Sequence, residues 1–146
     1  PDNFIFGLDG DKAVLHIVDF GLAKFYLDQN GKHVDMETGR PLTGTSRYVS
    51  LDVHCGVTPS RRDDLESVCY VLIYLLEGTL PWKGLTGSEI EQALDRKREP
   101  VIWGHLSTCP GEFLTFIRYC RCLEFDETPN YAYLSGLLKN LQQITR

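Results

Sequence analysis

An aspartate and an asparagine at the open end of a predicted β-hairpin are the residues best suited to carry chemistry in this sequence. Asp19 directly follows the apolar run Val14–Val18, and Gly21 allows the chain to turn sharply behind it. Asn3 directly precedes a second apolar run, Phe4–Leu8. Pairing of these strands would bring a carboxylate oxygen and an amide oxygen to one point. Because Mg²⁺ binds such oxygens together with phosphates, the pattern predicts a Mg²⁺ site.

A long helix is the main element that must support this site. Ser60–Ser67 predicts its start, because Asp63 and Asp64 favour a helix N-terminus through capping and through the helix dipole. From Leu65 to Leu76 the sequence is apolar on nearly all faces, so we expect this helix to be buried on several sides. Gly78 predicts its end.

The rest of the chain adds a loop and three further helices. The polar stretch Lys24–Pro41 has no apolar period and predicts a long, mobile loop. Ser88–Arg98 predicts a helix that is acidic at its start and basic at its end, as the helix dipole favours. Helical spacing predicts the last two helices, at Phe113, Phe116, Ile117 and Cys120, and at Leu134, Leu137, Leu138 and Leu141. The predicted fold class is α+β, a β-hairpin followed by a helical bundle around a buried central helix.

Composition and charge argue against several classes of function. The 146 residues carry a net charge of −5 with a pI of about 5.3, which argues against nucleic-acid binding. The longest apolar run, Val68–Leu76, is too short to span a bilayer, so no membrane partner is expected. The five cysteines form no C-x-x-C pair, and the four histidines lack zinc-binding spacing. We therefore expect reduced thiols in an intracellular protein, located in the cytoplasm, the nucleus or both.

Six short runs stand in an order that resembles one protein family. They are P-D-N-F at Pro1–Phe4, D-F-G-L-A-K at Asp19–Lys24, L-T-G-T-x-R-Y at Leu42–Tyr48, S-R-R-D-D-L-E-S at Ser60–Ser67, L-P-W-x-G-L at Leu80–Leu85 and F-D-x-x-P-x-Y-x-Y-L at Phe125–Leu134. With these runs the chain resembles the C-terminal lobe of a protein kinase, specifically of the casein kinase 1 family, over essentially its whole length. Ser50-Leu51-Asp52 stands where most kinases carry A-P-E, a departure that is typical of this family.

The resemblance implies ATP and Mg²⁺ as cofactors and assigns residues to each. Asp19 resembles the metal-binding aspartate, and Asn3 resembles the catalytic-loop asparagine that holds the second metal ion. Ile5 and Val18 resemble the apolar floor beneath the adenine ring. Plain packing in the core would be compatible with that role.

Four further residues match positions that support catalysis or bind substrate in the family. Thr45 would tie the substrate-binding segment to the catalytic loop, and Asp64 would hold the backbone of that loop. Arg47 and Gly84 would contribute to a pocket for a phosphate or an acidic residue upstream of the target hydroxyl. The family has a basic cluster in the next helix, whereas Glu89–Ala93 brings two carboxylates and no lysine, so we expect a weaker preference for phosphate-primed substrates. Alternatively, Arg47 braces the activation segment by pairing internally.

The resemblance also implies how much of a kinase domain this chain contains. In H-R-D-x-x-x-x-N the aspartate is the base, and counting back from Asn3 passes Pro1. Residues 1–146 would therefore be a partial kinase domain, from the end of the catalytic loop through the last helix, with the N-terminal lobe and the base outside it. We expect the parent to be a Ser/Thr kinase that transfers the γ-phosphoryl group of ATP to protein substrates, and the isolated chain to be inactive. Alternatively, the chain is a pseudokinase or scaffold module that binds proteins through its helical lobe, or a stub that does not fold alone.

Overall fold

The computed structural model describes residues 1–7, 14–85, 90–98 and 109–144. Within these ranges the fold is α+β, as predicted, with one antiparallel hairpin and five helices. The strands are β1 (Phe4–Phe6) and β2 (Leu15–Ile17), and the helices are α1 (Leu51–His54), α2 (Arg61–Glu77), α3 (Ile90–Arg98), α4 (Gly111–Cys122) and α5 (Tyr131–Ile144). None of the described helices combines the length and the hydropathy that a membrane span requires.

The hairpin is confirmed, with strands shorter than the predicted ranges. Hydrogen bonding continues one residue beyond each end of the ladder. The Val18 N–H donates to the Asn3 carbonyl at 2.9 Å, and the Gly7 N–H donates to the Val14 carbonyl at 3.1 Å. Leu8, which was predicted to close β1, lies outside the described residues.

Helix α2 is the central helix, and its ends follow the predicted signals. The Ser60 N–H donates to Asp63 Oδ2 at 2.8 Å, which satisfies a backbone donor just before the first turn. Gly78 has a φ of 70°, a left-handed conformation that ends the helix and favours glycine. The helix packs against α4, and α4 packs against α5. Their shared core consists of Cys69, Tyr70, Ile73, Leu80, Trp82, Phe113, Phe116, Ile117, Cys120 and Leu134.

The burial predicted for α2 is correct in its middle and wrong at its end. Leu75 and Leu76 in the last turn are exposed and are not among the described residues that form the core or pack against it. In contrast, Glu66 is buried although it is charged. This carboxylate has partners in the interior, which are described below, and a buried charge requires such partners.

The segment between the hairpin and α2 has more structure than the sequence predicts. The stretch Lys24–Pro41, predicted as a mobile loop, contains an isolated bridge between Leu27 and His33. The Arg40 N–H donates to the Gly56 carbonyl at 2.9 Å, which ties this stretch to the turn after α1. Helix α1 itself was not predicted, because four residues are too few to show a helical period.

The later helices lie where the apolar periods predict them. The four apolar residues predicted in α4 are all buried, and the four leucines predicted in α5 belong to the core or pack against it. Helix α3 is described from Ile90 to Arg98, and Ser88 and Glu89, which were predicted to begin it, lie outside the described residues. Its last turn is basic, as predicted.

Candidate functional site

The hairpin brings Asn3 and the residue before Asp19 into direct backbone contact. The Val18 N–H donates to the Asn3 carbonyl, so Asn3 and Asp19 lie at the same end of the paired strands. Both residues are exposed. The hairpin therefore places both residues at one strand end, and the convergence of their side-chain oxygens on a metal ion stays a prediction.

Asp19 has a strained backbone conformation. Its φ is 62°, and it is the one non-glycine residue with a positive φ in the part of the chain that the structure describes. The Gly21 N–H donates to Asp19 Oδ1 at 3.2 Å, so the side chain stabilises the turn that follows. Non-glycine residues in this region cost about 1–3 kcal/mol and cluster at active sites and switch segments. The strain therefore singles out the same aspartate that the sequence singles out.

One face of the hairpin carries the other residues predicted near this point. Ile5 is paired with His16, and side chains alternate between faces along a strand. Asn3, Ile5 and Val18 therefore share a face with His16. Ile5 is 49% exposed and Val18 is half-buried, so plain core packing does not account for Ile5. The predicted metal ligand and the predicted adenine floor lie along one accessible surface.

The donor set at this end suits a hard cation. An amide oxygen and a carboxylate oxygen are ligands that Mg²⁺ accepts, with phosphates and water completing its shell. Within the described ranges no group of three or more His, Cys, Asp or Glu side chains is placed to hold a metal ion by itself. Asn3 and Asp19 are not such a group, and their role in metal binding stays a prediction.

A cavity of about 380 Å³ connects the segment after Asp19 with the start of α2. Its lining includes Ala23 and Lys24 on one side and Asp63 and Asp64 on the other. Desolvation at the cavity wall, and then the charge of Asp63, raise the pKa of Asp64. Asp64 thus lies on the wall of this cavity, and its role in holding the backbone of the catalytic loop stays a prediction.

Two buried carboxylates of α2 hold the end of the segment from Thr45 to Leu51. The Ser50 hydroxyl donates to Asp63 Oδ1 at 2.6 Å, and the Leu51 N–H donates to Glu66 Oε1 at 3.2 Å. Both carboxylates are 4% exposed. Burial raises the pKa of Asp63, while the hydrogen bonds from Ser50 and Ser60 act in the opposite direction. Thr45 itself is exposed, and its carbonyl accepts the Tyr48 N–H at 2.9 Å.

Glu66 is the centre of a polar cluster that the sequence did not reveal. Arg121 of α4 donates to Glu66 Oε1 from Nε at 3.1 Å and from Nη2 at 3.0 Å. The Tyr70 hydroxyl also donates to Glu66. Because a buried carboxylate needs a counter-charge, loss of Arg121 would leave Glu66 uncompensated in the interior. The cluster links the Ser50-Leu51-Asp52 run, through Leu51, to α2 and α4.

Of the predicted substrate residues, Gly84 lies in the turn that carries Trp82, and Arg47 contacts that turn. The Trp82 indole N–H donates to the Arg47 carbonyl at 2.7 Å. The Arg47 guanidinium lies 5.7 Å from the centroid of the Tyr74 ring and 5.8 Å from that of Tyr48. These contacts support the alternative that Arg47 braces the segment internally. Gly84 is exposed with a φ of 88°, a conformation that favours glycine.

A second cation, which the sequence did not single out, contacts the same Tyr74 ring as Arg47. Lys83 Nζ is 5.6 Å from the centroid of the same Tyr74 ring and donates to the Gly78 carbonyl at 3.2 Å. Lys83 was not predicted as a site residue, because it occupies the variable position x of the L-P-W-x-G-L run. The predicted replacement of basic residues at Glu89–Ala93 concerns side chains outside those that the structure describes.

Two of the recognised runs contact each other. Arg61 donates to the Asp126 carbonyl at 2.7 Å and to Thr128 Oγ1 at 3.1 Å, which joins the start of α2 to the turn before α5. Arg62 Nη1 donates to the Leu123 carbonyl at 2.7 Å. The runs S-R-R-D-D-L-E-S and F-D-x-x-P-x-Y-x-Y-L therefore form one structural unit.

No family model matches this chain.

Proposed function

We propose that this chain is the C-terminal lobe of a casein kinase 1-like Ser/Thr protein kinase. In this role it would contribute the metal-binding and substrate-binding residues for transfer of the γ-phosphoryl group of ATP to hydroxyls of protein substrates. The proposal comprises the domain assignment of residues 1–146, with the catalytic base supplied from outside them. The isolated chain is proposed to lack turnover.

The observation that carries the proposal is the left-handed φ of 62° at Asp19. Strain of this kind is retained where function requires it, and it falls on the aspartate of D-F-G, beside the strand end that holds Asn3. In a regular strand Asp19 and Val18 would lie on opposite faces. The left-handed conformation interrupts that alternation just where the two oxygen ligands have to converge.

The chain's residues would divide the work of phosphoryl transfer. Asn3 and Asp19 would hold Mg²⁺, which neutralises charge on the β- and γ-phosphates. Ile5 and Val18 would offer an apolar surface to the adenine. Thr45 and Arg47 would lie on the substrate side, while Asp64 would fix the main chain of the catalytic loop. Such catalysis depends on positioning and on preorganised charge more than on covalent chemistry by the protein.

The test is Asp19→Ala in the longest protein product that carries this chain. We expect turnover on a protein substrate to fall at least about a thousandfold, because electrostatic stabilisation is commonly the largest catalytic contribution. The melting temperature should fall only slightly, because Asp19 is exposed and Ala removes one exposed hydrogen bond, from the Gly21 N–H, at a residue with a positive φ. The measurements are kcat and thermal melting on the same preparations.

The matched control is Asp35→Ala, which removes an exposed carboxylate whose partner is Lys32 on the surface. It should leave both turnover and melting unchanged. Near-normal turnover of Asp19→Ala would contradict the proposal. Absence of turnover in the unmutated product, with a cooperative melt, would favour the alternative of a pseudokinase or scaffold that binds proteins.

A further inference from the structure

Lys97 is a buried lysine in the last turn of α3. It is 1% exposed. Its Nζ donates to the Ser46 carbonyl at 3.0 Å and to the Val49 carbonyl at 2.6 Å, and lies 3.3 Å from His54 Nδ1. The three N–H groups of an ammonium thus find three acceptors if His54 carries its proton on Nε2.

The surroundings of Lys97 are aromatic as well as polar. Nζ lies 5.5 Å from the centroid of the Tyr70 ring and 5.3 Å from that of the Trp82 ring. Rings at this distance attract a cation through their quadrupoles. The titratable groups that face Lys97 from the neighbouring elements are His54 in α1, Cys55 after α1, Glu66 and Tyr70 in α2, and Arg121 in α4.

Packing alone does not explain a lysine at this position. An ammonium group loses its hydration when it is buried, which is costly even when hydrogen bonds replace the water. Burial accordingly lowers the pKa of Lys97 to about 8, an effect that the Glu66 charge opposes and the Arg121 charge reinforces. A methionine or leucine would fill similar space without this cost. What only the ammonium supplies is a set of donors for the carbonyls of Ser46 and Val49.

Those carbonyls belong to the segment that carries Thr45 and Arg47. Its far end is fixed by α2, where Asp63 binds the Ser50 hydroxyl and Glu66 binds the Leu51 N–H. Its near end is fixed by Lys97 from α3. Three buried charged side chains, from two helices, therefore hold one short stretch of main chain. We call Lys97, Asp63 and Glu66 the segment clamp.

We propose that Lys97 is a positioning residue that fixes the main chain of residues 46–49, so that α3 sets how the segment presents Thr45 and Arg47 to a protein substrate. The functional half of this inference rests on the proposed kinase activity. The structural half does not, because it concerns only the order of the segment within this chain.

The first experiment measures amide hydrogen exchange in the 146-residue chain, with and without Lys97→Met. We expect amides of residues 46–51 to exchange at least about tenfold faster in Lys97→Met, which corresponds to about 1.4 kcal/mol of local stability. Amides of α4 should keep their rates. Lys97→Gln retains an amide donor and should give an intermediate acceleration. Lys139→Met, the same change at an exposed lysine of α5, should have no effect.

The second experiment measures peptide phosphorylation by the longest product that carries the chain. We expect Lys97→Met to raise KM for the peptide about tenfold while kcat and KM for ATP stay unchanged. Unchanged exchange in residues 46–51, or equal acceleration in α4, would overturn the inference. Local acceleration without any turnover in the unmutated product would preserve the clamp and reject the proposed kinase activity. Local acceleration with an unchanged peptide KM would reject the positioning role in substrate binding.

Discussion

Lys97 makes the stability of this chain depend on pH in an unusual direction. Its pKa is lowered by burial to about 8, whereas an unfolded chain would give a lysine its ordinary value near 10.4. Between these values the unfolded chain binds more protons than the folded one. The contribution of Lys97 to the free energy of unfolding therefore rises as pH rises through this window, and below it the full cost of the buried charge is present.

We predict that the difference in unfolding free energy between the wild type and Lys97→Met changes with pH. Between about pH 7.5 and about pH 9 it should rise by about 1 kcal/mol in favour of the wild type. Urea unfolding at a series of pH values measures it. Burial also raises the pKa of Cys69, Cys109 and Cys120, which lowers stability at high pH in both proteins and cancels in the difference. A difference that is flat with pH would show that Lys97 titrates normally.

At the residue scale, the sequence revealed Asp19 and not Lys97, because a charged residue is noticed only where its neighbours in the sequence are apolar. Asp19 stands out because a charged residue ends an apolar run. Lys97 lies between Arg96 and Arg98, so it resembled one more exposed cation favoured by the helix dipole. Glu66 did interrupt an apolar helix, and that interruption was a usable signal of a buried partner. Its partner Arg121 could not be found, because pairing across 55 residues depends on tertiary packing.

At the element scale, the short connection after α2 positions the predicted substrate residue Arg47 and attaches α3. The turn after α2 carries Trp82, which binds the Arg47 carbonyl, and Lys83, which shares the Tyr74 ring with Arg47. Helix α3 is attached by its basic last turn, where Arg96 donates to the Pro81 carbonyl at 2.7 Å. Two cations, Arg47 and Lys83, therefore contact the Tyr74 ring in the last turns of α2. The predicted weakness of the phosphate pocket, which rests on Glu89–Ala93, stays a prediction.

If the chain acts as a kinase lobe, Lys83 should set how strongly a phosphate-primed substrate is preferred. We predict an advantage in kcat/KM well below a hundredfold for a peptide with an upstream phosphoserine over its unphosphorylated twin. Lys83→Met should reduce that advantage by up to about tenfold, because one charge-assisted contact is worth about 1.5 kcal/mol at the low end. The assay uses both peptides with the longest product that carries this chain.

The control for this prediction is again Lys139→Met, which removes a distant exposed lysine. It should leave the ratio between the two peptides unchanged. If Lys83→Met weakens both peptides equally, Lys83 supports the fold of the turn and does not read the phosphate. If the phosphorylated peptide keeps a hundredfold advantage in kcat/KM in Lys83→Met, the prediction is wrong and other residues bind the phosphate.

At the scale of the whole chain, apolar side chains are exposed on the hairpin more than on the helices. The hairpin and the residues just after it expose Ile5, Phe6, Val14, Leu15, Ile17, Phe20, Leu22 and Phe25. Exposed apolar patches of this kind mark interaction or aggregation surfaces. A two-stranded hairpin also leaves both edges open to pairing with another chain.

We predict that the 146-residue chain self-associates through this hairpin. The double variant Phe6→Thr with Ile17→Thr should shift sedimentation velocity profiles towards monomer, because threonine keeps strand propensity and removes apolar surface. The comparison variant, Leu75→Gln with Leu76→Gln, changes the exposed end of α2 and should have a smaller effect. Monomeric wild-type chain across the accessible concentration range would contradict the prediction.

The overall fold was largely predictable, because it rests on local periods. The apolar spacing of α4 and α5, and the Gly78 stop of α2, needed no tertiary information. What could not be predicted is how the polar connections attach to the helices. The link from Arg61 to the turn before α5, and the link from Arg40 to Gly56, join residues whose types are common on surfaces.

The position of Trp82 gives the chain a built-in optical reporter. Its indole is 4% exposed, binds the Arg47 carbonyl and has the Lys97 ammonium over its ring. The emission energy of an indole responds to a nearby charge, so its fluorescence spectrum changes when that ammonium loses its proton. The second tryptophan, Trp103, lies outside the described residues. In a Trp103→Phe variant, the fluorescence emission maximum of Trp82 would report the ionisation of Lys97 without any attached dye.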